Sequence, residues 1–220
     1  MGVSDAVLDP IFTDHSRRMV VRSCALSWFA DGLPADLCRN VRSRLRIVHG
    51  KGYLNYGTGK VLDALHILIG KASLPIVIIV TTGEIAQDPT TLELTGLAKG
   101  LGVFEELDFR KSVHLQEMPN ILRSCGVGLI SYGRNPEVDI PPNRMFEYLA
   151  LGLPINIAQS YAVKIVKILD AERSGLLIDF EDPAAIADAI LKLQQDPEMC
   201  SEMGRRGRNR FIWQGYFCRS

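Results

Sequence analysis

The chain has 220 residues, a mass of 24.4 kDa, and 25 basic and 25 acidic side chains, so its formal charge at pH 7 is zero. Proteins dedicated to nucleic-acid binding usually carry a basic excess, so we expect no nucleic-acid partner. Hydrophobic residues make up 47% of the chain and charged residues 23%, which excludes a disordered protein and indicates a globular domain.

The sequence predicts neither a membrane-spanning segment nor a signal peptide. The longest apolar run, Leu74–Val80, has the length of a strand, whereas a membrane span needs about 18 residues. The N-terminus shows no apolar stretch after a basic start. The five cysteines are scattered without a CxxC pair, which argues against a zinc site or a disulfide framework. We therefore expect reduced thiols in a cytoplasmic protein.

Residues 1–44 differ from the rest of the chain. They show no clear hydrophobic periodicity, and only Met19–Leu26 resembles a strand. We interpret this region as a linker or as the remnant of a missing N-terminal lobe. The regular pattern that follows assigns one domain to residues 45–220.

From Leu45 onward, apolar runs of strand length alternate with amphipathic stretches of helix length. The predicted strands are Leu45–His49, Leu74–Thr81, Leu107–Val113, Val127–Ser131, Leu153–Ala158 and Gly175–Asp179. The predicted helices lie near residues 58–71, 89–102, 117–124, 142–151, 161–172, 183–195 and 197–213. This alternation predicts an α/β fold with a doubly wound, parallel, Rossmann-like sheet of about six strands and flanking helices.

Local signals mark several helix boundaries. Asp88, Asp182 and Asp196 each precede a proline, which predicts an N-cap acceptor followed by proline at the first helical position. Gly100 and Gly152 lie where a helix is expected to end.

A glycine-rich segment, HGKGYLNYGTGK at residues 49–60, follows a predicted strand and leads into a helix. Backbone N–H groups at such a turn can bind phosphate, helped by the helix dipole. The spacing does not fit a Walker motif, because Thr58 and Gly59 follow Gly57, and it does not fit GxGxxG, because Asn55 replaces the third glycine. The segment is therefore either a phosphate-binding loop or a glycine-rich turn without a ligand.

Polar candidates also follow the other strands, at the edge of the sheet where ligands bind in such folds. Asp139 and Glu147 can reach one cleft, and carboxylates suit the paired hydroxyls of ribose or hexose. Arg144 begins a helix, where a cation opposes the dipole unless it faces an anion. The simpler interpretation is a solvated loop and a capping carboxylate. His114 follows the third strand, where a lone histidine is more often structural.

Two further clusters have ordinary explanations. The acidic run Asp179–Asp182 resembles a metal site, but Asp182 before a proline is better explained as an N-cap. The basic run Arg205–Arg210 lies on the last predicted helix, where a solvated face is the simpler interpretation.

The segment NRMFEYLALGLPI at residues 143–155 resembles the signature of retaining GT-B glycosyltransferases of the family-four, or group 1, type. Three other stretches are similar to that family in the same order. They are RIVHGKGYLNYGTGKVLDALHIL, VHLQEMPNILRSCGVGLISY and SGLLIDFEDPAAIADAILKLQQDPEMCSEMGRRGRNRF. The resemblance covers residues 45–213 and implies the C-terminal, nucleotide-sugar-binding domain of a two-lobed enzyme.

The resemblance also implies roles for individual residues. Glu147 matches the second Glu of the family's Glu-x7-Glu motif and would hold the ribose hydroxyls. Asp139 stands at the first Glu and would contact the transferred sugar, and Arg144 would lie near the diphosphate. Together these three would be the catalytic residues. The expected nucleotide-sugar-binding residues are Gly50, Lys51, Gly52, Thr58, Gly59, His114 and Glu147, with Thr58 standing where the family has Lys or Arg.

The implied activity is transfer of a hexosyl group from a nucleoside-diphosphate sugar to a saccharide or lipid-linked acceptor, without a metal ion. The acceptor lobe would come from a partner polypeptide, and membrane contact would place the protein at the inner face of the cell membrane. Three alternatives are a non-catalytic nucleotide-sugar-binding module or subunit of a split transferase, another GT-B-like enzyme such as an epimerase or phosphorylase, and a structural partner of a transferase.

Overall fold

The computed structural model describes residues 25–26, 44–50, 57–81, 84–85, 87–131, 142–158, 173–214 and 217–218. The strands in chain order are β1 Ala25–Leu26, β2 Arg46–Gly50, β3 Ile76–Val80, β4 Leu107–Arg110, β5 Val127–Ile130, β6 Ile155–Ala158, β7 Gly175–Ile178 and β8 Phe217–Cys218. The helices are α1 Thr58–Leu68, α2 Pro89–Leu101, α3 Met118–Arg123, α4 Asn143–Leu151, α5 Pro183–Gln195 and α6 Pro197–Gln214.

Within the described part of the chain, six strands form one sheet in the order β4-β3-β2-β5-β6-β7, and every neighbouring pair is parallel. The predicted doubly wound sheet of six strands is thereby confirmed. The strand order runs outward in both directions from β2 and β5, so the topological switch point lies between these two strands. A separate parallel pair joins β1 to β8.

The predicted elements within the described residues are present, with ends that differ from the predicted ones by up to three residues. The predicted helix near residues 161–172 lies outside the described residues. So does the N-terminal region apart from β1 and Arg44, and the boundary at residue 45 stays a prediction.

Two hydrophobic clusters cover the two faces of the six-stranded sheet. One cluster buries α1, α2 and α5 against the sheet through residues such as Leu65, Leu94 and Ile190. The other buries α3, α4 and α6 through residues such as Leu122 and Phe211. Helices on both faces explain why β3 is apolar throughout, as in its fully buried run Val77–Ile79.

The predicted N-caps are confirmed, whereas one predicted helix end is wrong. The side chains of Asp88, Asp182 and Asp196 accept hydrogen bonds from backbone N–H groups at 2.8, 2.9 and 2.8 Å. Gly152 ends α4 in the left-handed conformation as predicted, with φ of 68°. Gly100, however, stays helical, and α2 ends at Gly102, whose φ is 72°.

Replacing Asp88 with alanine should lower the free energy of unfolding by about 1 kcal/mol, because the N-cap acceptor is lost. Asp88 accepts hydrogen bonds from both the backbone N–H and the hydroxyl of Thr91. Thermal unfolding should show a melting temperature about 2–4 °C lower. Asp88→Ser, which keeps a capping oxygen, is the control and should retain most of the stability. Equal losses in both variants would contradict the capping role.

Two close contacts fix α4. Gly128 on β5 lies under the ring of Tyr148, and any Cβ at position 128 would overlap that ring. At the other end of α4, a Cβ at Gly204 of α6 would overlap the backbone carbonyl of Gly152. The sheet and α6 therefore set the position of α4 by steric contact.

The remaining predictions concern metals, basic residues, thiols and membranes. Within the described ranges, no His, Cys, Asp and Glu cluster suits a metal ion, and Asp182 caps α5. Arg205 and Arg206 pair with Glu202 on the surface of α6. Cys125 and Cys200 are buried thiols, and burial raises the pKa of Cys125 to about 11. No described helix has the length and apolarity to cross a membrane.

Candidate functional site

The candidate site lies at the switch point, where β2 and β5 end and where α1 and α4 begin. Gly57 starts α1 with φ of 78°, in the left-handed region that favours glycine. A Cβ at this position would also lie 2.9 Å from the Phe180 ring. Glycine is therefore required at the junction between the glycine-rich segment and α1.

His49, in β2, occupies the centre of this region. Its side chain is fully buried, and its Nε2 lies 3.2 Å from Ser131 Oγ and 3.5 Å from Thr58 Oγ1. Burial, reinforced by the charge of Arg144, lowers the pKa of His49 to about 4, an effect that its own backbone carbonyl only partly offsets. The imidazole is therefore neutral at physiological pH, and Nδ1 has no hydrogen-bond partner among the described residues.

Arg144, in the first turn of α4, reaches across the switch point. Its Nη1 donates a hydrogen bond of 2.9 Å to the backbone carbonyl of His49. This contact holds a guanidinium at the end of β2, at the first residue of the glycine-rich segment. A cation at a helix N-terminus interacts unfavourably with the helix dipole, and α4 has no side-chain N-cap. A bound anion would balance the charge and accept hydrogen bonds from the first N–H groups of the helix.

Glu147 follows Arg144 by three residues, which places both side chains on one face of α4. The Glu147 side chain is partly buried and makes no hydrogen bond to a described residue. Burial raises the pKa of Glu147, and the nearby charge of Arg144 opposes that rise. The result is a carboxylate with unused acceptor capacity beside a fixed cation.

The structure brings together only some of the residues singled out in the sequence. Gly50 ends β2, and Thr58 and Gly59 begin α1. Arg144 and Glu147 lie on α4, which contacts the end of β2 through the hydrogen bond from Arg144 to His49. Thr58 is buried with its hydroxyl turned toward His49, so its side chain does not face the surface.

His114 lies apart from these residues, and three other candidates fall outside the described residues. His114 is exposed in the loop after β4, and β3 separates that strand from β2. Its carbonyl accepts a hydrogen bond of 2.9 Å from the Glu117 N–H. Lys51, Gly52 and Asp139 lie outside the described residues.

Sequence reasoning missed His49 and Ser131 as members of the site. The available signal was a polar residue at the end of an apolar strand, in RIVHG and in VGLIS. Such a residue at the carboxyl edge of a parallel sheet lies next to the ligand crevice.

Residues 86–220 match the sequence profile of a family described as glycosyl transferase-like. This match covers more than half of the chain. The chain belongs to that glycosyl transferase-like family. No curated protein matches this chain.

Solved structures of glycosyltransferases share the fold at low sequence identity. WaaG, a glycosyltransferase involved in lipopolysaccharide biosynthesis, aligns with a TM-score of 0.70 and 12% identity over 93% of this chain and 54% of its own. Anabaena Alr3699/HepE, solved with UDP-glucose, aligns with a TM-score of 0.68 and 14% identity over 84% of this chain and 50% of its own.

The fold of this chain is similar to that of an isolated C-terminal glycosyl transferase domain. The isolated C-terminal domain of the group 1 glycosyl transferase LpcC from Francisella tularensis aligns with a TM-score of 0.62 and 15% identity. That alignment covers 80% of this chain and 87% of the LpcC domain. Against HepE and a sucrose-phosphate synthase from Thermosynechococcus elongatus, the chain spans only about half of the other protein's length.

Proposed function

We propose that this glycosyl transferase-like domain binds a nucleoside-diphosphate sugar and donates its hexosyl group to a saccharide or lipid-linked acceptor with retention of anomeric configuration. The observation that carries the proposal is the pair Arg144 and Glu147, placed on one face of α4 at the switch point. A guanidinium suits a diphosphate, and a carboxylate suits the paired hydroxyls of ribose. The two groups therefore match adjacent parts of one nucleotide.

The remaining contacts follow from the same arrangement. The N–H groups at the start of α1, after Gly57, would bind phosphate oxygens together with Arg144. Gly50 ends β2, and Lys51 and Gly52 follow it in the sequence; we assign all three to the diphosphate as well. We assign Asp139 to the transferred sugar and His114 to the binding of the nucleotide sugar.

The proposed reaction breaks the bond between the anomeric carbon and the diphosphate oxygen. The acceptor hydroxyl oxygen forms its bond to that carbon on the same face, and the departing phosphate takes the hydroxyl proton. Charge builds up on the diphosphate in the transition state, so groups that stabilise this charge lower the barrier. Because Arg144 and backbone N–H groups are suited to that task, we expect transfer without a metal ion.

The ligands and roles of structural neighbours support the proposal. HepE was solved with UDP and with UDP-glucose, and WaaG acts in lipopolysaccharide biosynthesis. We propose that a second lobe, in this or in another polypeptide, binds the acceptor. A lipid-linked acceptor would place the protein at the inner, cytoplasmic face of a membrane.

The test is calorimetric titration of the full chain with UDP, GDP and ADP, first with EDTA and then with Mg²⁺. We expect saturable binding of one nucleotide that does not require Mg²⁺. No binding of any of the three by the folded protein would overturn the proposed function. Binding without sugar transfer, even with an acceptor and its lobe supplied, would identify a non-catalytic subunit instead.

Replacing Glu147 with alanine should weaken binding of the preferred nucleotide by about tenfold, because a charged hydrogen-bond acceptor for the ribose is lost. The preference of the wild type for this nucleotide over its 2′,3′-dideoxy analogue should disappear in the same variant. Glu93→Ala, at an exposed position of α2, is the matched control and should leave both affinities unchanged. A ribose preference that persists in Glu147→Ala would contradict the assigned role.

A further inference from the structure

His49, Thr58 and Ser131 form a buried polar cluster beneath the candidate site. Their exposed fractions are 0%, 1% and 6%, so solvent does not satisfy their polar atoms. The cluster joins separate elements, because Thr58 begins α1 and Ser131 directly follows β5. The hydroxyl oxygens of Ser131 and Thr58 lie 3.2 and 3.5 Å, respectively, from the same imidazole nitrogen, Nε2 of His49.

The same histidine also holds the cation of the site. Its backbone carbonyl accepts the hydrogen bond from Arg144 Nη1 at 2.9 Å. One residue therefore contacts the first residue of α1, the end of β5 and the guanidinium on α4. These are the elements between which a diphosphate would lie.

A neutral imidazole suits this position chemically. Hydroxyl groups both donate and accept, so Ser131 and Thr58 can satisfy Nε2 in either tautomer. A charged side chain here would stand beside Arg144 and repel it. Thr58 is thus used as a buried hydrogen-bonding group, and its hydroxyl supports the start of α1 from below.

We propose that the His49 imidazole is a positioning group for the diphosphate, because it ties the start of α1 to the end of β5, opposite the Arg144 guanidinium that the His49 backbone carbonyl holds. This inference rests on the proposed function. It places His49 beneath the phosphates, without direct contact with the substrate. Its loss should therefore weaken binding of the diphosphate portion selectively, while the nucleoside portion, held by Glu147, keeps its affinity.

The test compares the affinity for the nucleoside diphosphate that the wild type binds best with the affinity for the corresponding nucleoside. His49→Phe should lower diphosphate affinity by about tenfold, the effect of one lost hydrogen-bond arrangement, and change nucleoside affinity less than twofold. His49→Gln, whose amide can reach the Nε2 position, should restore part of the loss.

Thr58 provides a second pair of variants in case His49→Phe does not fold. Thr58→Val keeps the shape and removes the hydroxyl, whereas Thr58→Ser keeps the hydroxyl. Only the valine variant should lose diphosphate affinity selectively. Equal losses for nucleoside and diphosphate, or no loss, would overturn the inference while leaving the proposed function intact. If the wild-type protein bound no nucleotide, both this inference and the proposed function would be overturned.

Discussion

Replacing Arg144 with methionine should lower the affinity for the nucleoside diphosphate by about 10- to 100-fold, because a charge-assisted interaction with the phosphates is lost. Arg144 is held at the end of β2 by the His49 carbonyl, so its guanidinium needs little reorganisation on binding. The fold should persist, because the side chain is only partly buried. Isothermal titration calorimetry would measure the affinity, and circular dichroism would show whether the fold persists.

Two variants make this result specific. Arg144→Lys keeps the charge but not the forked geometry, so its affinity should lie between those of wild type and Arg144→Met. Lys192→Met removes a cation from an exposed position on α5 and should leave the affinity for the nucleoside diphosphate unchanged. The difference between wild type and Arg144→Met should shrink at high salt, since ions screen the charge. A Lys192 variant as weak as Arg144→Met would point to a general effect of net charge.

Acidification from pH 6.5 to pH 4 should remove about 3 kcal/mol of the free energy of unfolding through His49. Burial lowers its pKa in the folded state to about 4, from the ordinary value of 6.5. Between these values the unfolded chain binds the proton and the folded chain does not. The contribution is therefore fully present above pH 6.5 and is lost as the pH falls to about 4.

Urea unfolding at several pH values, in wild type and His49→Gln, would isolate this contribution. The variant should lose less stability on acidification, because its amide does not titrate. Glu147 acts in the opposite direction, since its raised pKa makes protonation favour the folded state. The comparison cancels this effect because both proteins contain Glu147. Parallel pH profiles for the two proteins would contradict a buried, neutral imidazole.

Much of the fold could be predicted because local signals and tertiary packing agree. The apolar run at residues 77–80 is buried on both faces, and the Asp-Pro pairs begin helices as their chemistry requires. The end of α2 could not be predicted in the same way, because both Gly100 and Gly102 can adopt the left-handed conformation that ends a helix. The buried Val103, whose N–H donates to the Ala98 carbonyl, favours the later glycine.

The site was less accessible to sequence reasoning because its parts meet only through strand pairing. His49 and Ser131 are 82 positions apart and approach each other because β5 pairs with β2. The inward direction of Thr58 likewise depends on burial, which a glycine-rich motif does not specify. Arg144 and Glu147 were predictable because their spacing on one helix fixes their relation.

The contact between α4 and α6 has a consequence for how this sequence can diverge. Gly204 packs against the Gly152 carbonyl, and Gly152 itself needs the left-handed conformation. Exposed positions on the same helix, such as Arg205 and Asn209, carry no such restriction. Natural variation should therefore accumulate on the outer face of α6, while these two glycines change only if the helix that carries Arg144 and Glu147 is displaced.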